Sequence, residues 1–371
     1  MKPCRTGWVR ILKLACLGVV AAGLFGCAAE PVKKKDYSNL TWPMPPDQPR
    51  LRFVAEYHDK GDVGVGSDLR VSLLGDDDAG VIIEKPYGVA ASANGRQIYV
   101  TDTKQKAVII FDLDKKEVRP LKTDAHGALY NPLEVRLDSQ GRIFVSDSER
   151  KEILVLSQEG KTLMALGKNE GAERPTGLAL DEQRNRLYVS DTTKHRILVY
   201  DMAGKYLFTF GERGSEPGQL NYPVNLIVDR DGRLLVTDTG NFRVQVFDEK
   251  GEFINTFGQL GDTYGSFSRP KGIGVDSDNN IYVVDAAFNN FQIFNRDGRI
   301  LLFVGRMGRE PGMFWIPTGI FVDGTDKVYV VDSLNERVQV FQYLKDQGVA
   351  GAAVGAKNEA APSSLDEKTK K

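Results

Sequence analysis

Six copies of one pattern in this 371-residue chain predict an all-β fold, a ring of six four-stranded antiparallel blades forming a six-bladed β-propeller. A proline that opens an apolar run recurs at Pro86, Pro132, Pro175, Pro223, Pro270 and Pro317, at spacings of 43 to 48 residues. An aspartate that closes a second apolar run recurs at Asp102, Asp147, Asp191, Asp238, Asp285 and Asp332, 15 or 16 residues after its proline. The runs are rich in Val, Ile, Phe and Tyr, and no apolar stripe at helical spacing lasts long enough to compete.

The chain opens on a leader. Lys2, Arg5 and Arg10 precede an apolar stretch over residues 11–22, interrupted only by Lys13, and then Leu24-Phe25-Gly26-Cys27. Charged, apolar and small residues in that order read as a secretory signal, and the apolar part is short for a membrane span. Leu-x-Gly-Cys resembles the lipobox of bacterial lipoproteins. That resemblance implies that residues 1–26 leave as a signal peptide and that Cys27 carries acyl chains, a stable anchor when there is more than one. It also implies a place in the cell envelope, and Ala28 points to the outer membrane, facing the periplasm or the cell surface. Cys4 and Cys16 belong to the leader, so the rest of the chain needs no disulfide frame. Without the four leader cations, 45 basic groups face 50 acidic ones, which argues against nucleic acid as a partner.

Residues 27–49 hold Pro31, Pro43, Pro45, Pro46 and Pro49 and read as an extended tether. Residues 50–344 are the repeat domain. Its fourth copy shows the division into strands, with β-rich runs at 224–228, 233–237, 243–247 and 252–257. Between them lie Asp229-Arg230-Asp231-Gly232, Asp238-Thr239-Gly240-Asn241 and Asp248-Glu249-Lys250-Gly251. The sixth copy lacks its outer strand, while residues 50–57 form a strand without a partner. An unclosed ring would offer its edge to other chains, so residues 50–57 are expected to complete blade six and close one ring per monomer. Residues 345–371, rich in Ala, Gly and Lys, read as a disordered tail.

The stretches "RPKGIGVDSDNNIYVVDAAFNNFQIF" and "YPVNLIVDRDGRLLVTDTGNFRVQVF" resemble NHL repeats, which build six-bladed propellers, and the resemblance covers about residues 50–344. The family's arginine after the aspartate turn stands at Arg196, Arg243 and Arg337, and is replaced by Ala107, Glu152 and Asn290 in the other copies. The six aspartates are expected to accept backbone N–H groups in the turns, and the arginines to brace them.

Function is expected where the blades differ. The loops between blades and the turns after the aspartates should share one end of the ring. There His126, Tyr130, His195, Phe242, Tyr264, Phe267, Phe288, Phe314 and Trp315, with Lys104, Arg150 and Arg174, suit a protein, peptide or glycan partner. In the inner strands the residue after Pro-x reads Gly88, Glu134, Gly177, Asn225, Gly272 and Gly319, and Arg136 follows Glu134 on the same face. Glu134 and Arg136 are either a buried ion pair or, with Asn225, a small axial site.

Gluconolactonase-like hydrolases hold a divalent metal on their axis, and Glu134 and Asn225 could be two ligands for Ca. Hard cations want about six oxygens. Amidating lyases with NHL repeats hold Zn through axial histidines, whereas His58, His126 and His195 lie outside the inner strands here. A Gly-x-Ser-x-Gly elbow, His-Glu-x-x-His, a P-loop and Cys-x-x-Cys-His are all absent. The sequence therefore reads as a lipid-anchored binding or scaffold module without a resident cofactor. The alternative is a metal-dependent hydrolase or lyase on the axis.

Overall fold

The computed structural model describes residues 37, 39–64 and 82–345. The leader, Cys27 and the chain beyond Lys345 lie outside the described residues.

Blade one comprises Pro86–Ala91, Gln97–Asp102, Ala107–Asp112 and Glu117–Pro120. Blade two comprises Pro132–Leu137, Ile143–Asp147, Glu152–Leu156 and Thr162–Leu166. Blade three comprises Pro175–Asp181, Arg186–Asp191, Arg196–Tyr200 and Tyr206–Phe210. Blades four and five run Pro223–Val228, Leu234–Asp238, Arg243–Phe247, Phe253–Phe257, and Pro270–Val275, Ile281–Asp285, Asn290–Phe294, Ile300–Val304. Blade six starts with Pro317–Val322, Lys327–Asp332 and Arg337–Tyr343, and Leu51–Tyr57 completes it as the outer strand. Leu51 stands opposite Tyr343 and Tyr57 opposite Val338, so the last blade joins both ends of the repeat domain and the sheet edge is closed as the sequence requires.

One expectation needs correction. Part of the proline-rich tether folds: Thr41–Trp42 forms a fifth strand on blade six, antiparallel to Leu51 and Arg52. Trp42 supplies the reason, packing edge-on against Phe341 at 5.5 Å between ring centroids. It also covers Gly312, whose φ of +76° and missing Cβ leave the room that the indole fills.

The six aspartates are buried and accept backbone N–H groups of the loop before their blade, and Asp102, Asp147 and Asp285 also accept those of the turn that follows them. Asp147 takes those of Tyr130 and Asn131 on one side and of Glu149 and Arg150 on the other. Arg243 reaches Asp238 at 2.9 Å and the carbonyls of Glu216 and Gln219; Arg337 braces Asp332 in the same way and adds Glu56 of the closing strand. A hydroxyl one residue before the aspartate joins neighbouring blades. Thr237 Oγ1 accepts from Asn225 N–H and donates to the Lys271 carbonyl, and Thr101 and Ser190 do the same between their blades. Blades five and six have Val284 and Val331 there.

Phe267 and Phe314, expected on the rim, are fully buried. The loop before each inner strand folds back on itself through the bridges Leu260 to Phe267 and Met307 to Phe314. That turns the rings inward, against Phe294 at 5.6 Å and Phe291 at 5.9 Å. Burying a Phe side chain stabilises by about 1.5–3 kcal/mol, so these rings hold blades together.

Candidate functional site

The loops between blades and the turns after the aspartates do share one end of the ring. Ser148 N–H donates to the Asn131 carbonyl, Thr192 N–H to that of Arg174, and Ala286 N–H to that of Arg269. Three aromatic rings on this face each lie under a cation: Tyr130 under Arg150 at 5.8 Å, Trp315 under Arg309 at 5.7 Å and Tyr87 under Lys271 at 5.3 Å. A cavity of about 530 Å³ opens between blades two and three, lined by Asn131, Ser148, Glu149, Glu173, Arg174 and Thr193.

On the axis, Glu134, Arg136 and Asn225 come together and are buried. Arg136 Nη1 donates to Glu134 Oε1 at 2.5 Å, and Asn225 Nδ2 donates to Glu134 Oε2 at 2.6 Å. Burial pushes the Glu134 carboxyl above the usual range, against the pull of the Arg136 guanidinium and the Asn225 amide. Arg136 also donates to the Val89 and Val135 carbonyls and lies 5.6 Å from the centroid of Phe321. Its Nε and Nη2 find no hydrogen-bond partner among the described residues. Glycine fills the other inner positions because strands meet there: a Cβ on Gly88 would lie 2.4 Å from the Leu133 carbonyl oxygen.

The other expected residues are spread around the ring. His195 is buried, accepts the Tyr222 N–H through Nδ1 at 3.1 Å and packs against that ring at 4.6 Å. Phe242 is half-buried against the core between blades four and five, and Phe288 is half-buried in the turn capped by Asp285. His126 is exposed in a short turn whose Asp124 is tied to Thr162, the first residue of blade two's outer strand. Trp315 gives its N–H to Asp332 at 2.6 Å and keeps one face for Arg309. Tyr264 is 71% exposed and stacks on Phe303 at 4.7 Å.

Sequence reasoning passed over Tyr87 and Lys271, the middle residues of Pro-x-Gly. The signal was present. That position reads Tyr87, Leu133, Thr176, Val224, Lys271 and Thr318, so a lone charge stands among uncharged residues.

Residues 117–212, 219–291 and 276–346 match the family described as a 6-bladed beta-propeller (DUF5128). The chain belongs to this family. No curated protein matches the sequence. Among solved structures, a streptogramin B lyase aligns with a TM-score of 0.53 at 15% identity, covering 71% of this chain and 94% of that one. A protein of unknown function from Bacteroides thetaiotaomicron aligns with a TM-score of 0.55 at 17% identity, covering 70% of each chain. A catalytically inactive virginiamycin B lyase from Staphylococcus aureus, solved with quinupristin, aligns with a TM-score of 0.52 at 16% identity, covering 70% of this chain and 95% of that one. At these identities the likeness is one of fold.

In this six-bladed propeller the axial carboxylate is already committed. A hard cation on the axis would have to take Glu134 from a guanidinium and an amide donor, and Arg136 would repel it. The residues present therefore do not fit a resident axial Ca or Zn. Among the described residues, no group of three or more His, Cys, Asp or Glu is placed to hold a metal.

Proposed function

We propose that this propeller is a binding or scaffold module of the bacterial cell envelope, anchored by acyl chains on Cys27 and acting as a monomer without catalysis. Its loop-bearing face engages a protein, peptide or glycan partner rather than nucleic acid. The observation that carries this reading is the set of aromatic–cation pairs on that face, Tyr130 with Arg150 and Trp315 with Arg309. Such pairs hold large contact groups in place before a partner arrives, which lowers the ordering cost of association. The committed Glu134 supports a binding role over an axial hydrolase or lyase.

The test is mild crosslinking of the full lipidated chain in native envelopes, followed by identification of what co-purifies. Tyr130→Ala and Trp315→Ala should each lose the captured partner while the ring stays folded. A chain recovered in the soluble fraction, or a partner retained by both variants, would overturn the proposal. So would stoichiometric metal in chelator-free protein accompanied by a hydrolase or lyase activity.

A further inference from the structure

We propose that the axial opening on the loop-bearing face is a receptor for one oxyanion, the carboxylate or phosphate end of a ligand, held by Lys271, Arg174 and Arg269 beside the ring of Tyr87. This rests on the binding-module reading and gives it a ligand chemistry.

The geometry begins with Lys271. It leaves blade five, passes the Thr318 position of blade six, and brings its ammonium to 5.3 Å from the ring centroid of Tyr87 in blade one. A side chain that spans three blades at the start of the inner strands lies across the mouth of the axis. Arg269 stands two residues before Lys271, and Arg174 comes from blade three, opposite. Both are exposed, and both act on the Lys271 charge.

No acid answers these cations. Among the described residues, no carboxylate makes an ion pair with Lys271, Arg174 or Arg269. Neighbouring Glu173 is engaged by Lys194 at 3.4 Å. Glu134, which Tyr87 senses from the axis, has both oxygens taken by Arg136 and Asn225. Burial, together with the two guanidiniums, holds the Lys271 ammonium down to about 8. A half-buried ammonium without a counter-charge is costly, and an oxyanion would offset that cost through charge-assisted hydrogen bonds.

The ring does not need this lysine. Five other blades close with Tyr87, Leu133, Thr176, Val224 or Thr318 at the same position. Arg174 also lines the cavity of about 530 Å³ between blades two and three, which leaves room for the rest of a ligand beyond its charged end. Two guanidiniums and one ammonium suit the paired oxygens of a carboxylate or phosphate.

The experiment is calorimetric titration of the purified full chain with inorganic phosphate and, separately, with acetate, at ionic strength matched with chloride. Wild type should bind at least one of them saturably at one site, and the stronger of the two identifies the ligand end. Lys271→Met should weaken that binding about tenfold or more, and Arg174→Gln several-fold. Lys194→Met, on the same face but paired with Glu173, should leave it unchanged. Thermal melts should show Lys271→Met at least as stable as wild type, because a desolvated charge is gone. No saturable binding up to ~100 mM, an affinity far below any useful receptor, or full affinity in Lys271→Met, would overturn the proposal. If neither anion binds but the envelope partner is still captured, the oxyanion receptor alone falls. If an anion binds and no partner is captured, the partner-binding role falls and the receptor stands.

Discussion

Arg136 and Glu134 stand two residues apart on one inner strand and meet at 2.5 Å inside the ring, while Nε and Nη2 of the same guanidinium find no hydrogen-bond partner among the described residues. A buried pair of this kind is weak evidence of stability in itself, but removing one member strands the other. Glu134→Leu should cost about 3–5 kcal/mol in urea unfolding. The double variant Glu134→Leu/Arg136→Met should recover most of that loss or exceed wild type. A single variant as stable as wild type would mean that the pair is solvated.

His195 makes folding sensitive to acid. Burial and the Arg213 guanidinium hold its imidazole below its ordinary 6.5, with Asp238 pulling the other way. The folded ring therefore binds its proton less readily than the unfolded one. Its contribution is complete above pH 6.5 and is lost as the pH falls through the lower folded-state value. His195→Asn keeps an acceptor for the Tyr222 N–H and tolerates the φ of 54° at this position. Urea midpoints between about pH 5 and pH 8 should fall more steeply on the acid side for wild type than for this variant.

Thr237 joins blades four and five through one oxygen. Thr237→Val keeps the shape and leaves the Asn225 N–H and the Lys271 carbonyl without it, a loss of about 1–3 kcal/mol. Hydrogen exchange at the Asn225 amide should rise in Thr237→Val, whereas blade five, with Val284 at the matching position, joins its neighbour without a hydroxyl.

Arg337 ties the closing strand to the turn of blade six. It bonds Asp332 at 2.8 Å, Glu56 at 2.6 Å and the Met313 carbonyl at 3.0 Å. Arg337→Met should cost about 3 kcal/mol by leaving the buried Asp332 carboxylate short of its cation. Arg96→Met, which removes an exposed pair with Asp114, should cost no more than about 1 kcal/mol. Equal losses in the two would argue that Arg337 is solvated in the folded protein.

Most of the fold was legible because the repeat states it six times. Proline and aspartate mark the same turns in each copy, and the strand missing from blade six pointed to residues 50–57. The axial trio was legible for the opposite reason: Glu134, Asn225 and Arg136 break the pattern. That Glu134, Arg136 and Asn225 meet depends on side-chain placement between blades two and four, and periodicity carries no information on that. Thr41–Trp42 was hidden by its prolines, since a two-residue strand secured by one indole has no alternation to read. Phe267 and Phe314 were misplaced because a loop that folds back reverses the side on which its aromatics emerge. Lys271 was overlooked because the neighbouring Gly position held the attention.

The closure of blade six also decides how the molecule answers a mechanical load. A pull on Tyr37 reaches the two-residue pairing of Thr41–Trp42 first and the seven-residue strand Leu51–Tyr57 next, before any other blade is strained. Once that strand peels away, Arg337–Tyr343 becomes a bare edge and the circle can spring open. Tension on the segment leading to the ring is thus borne by the seam, and the strength of that seam sets the force the whole propeller can withstand.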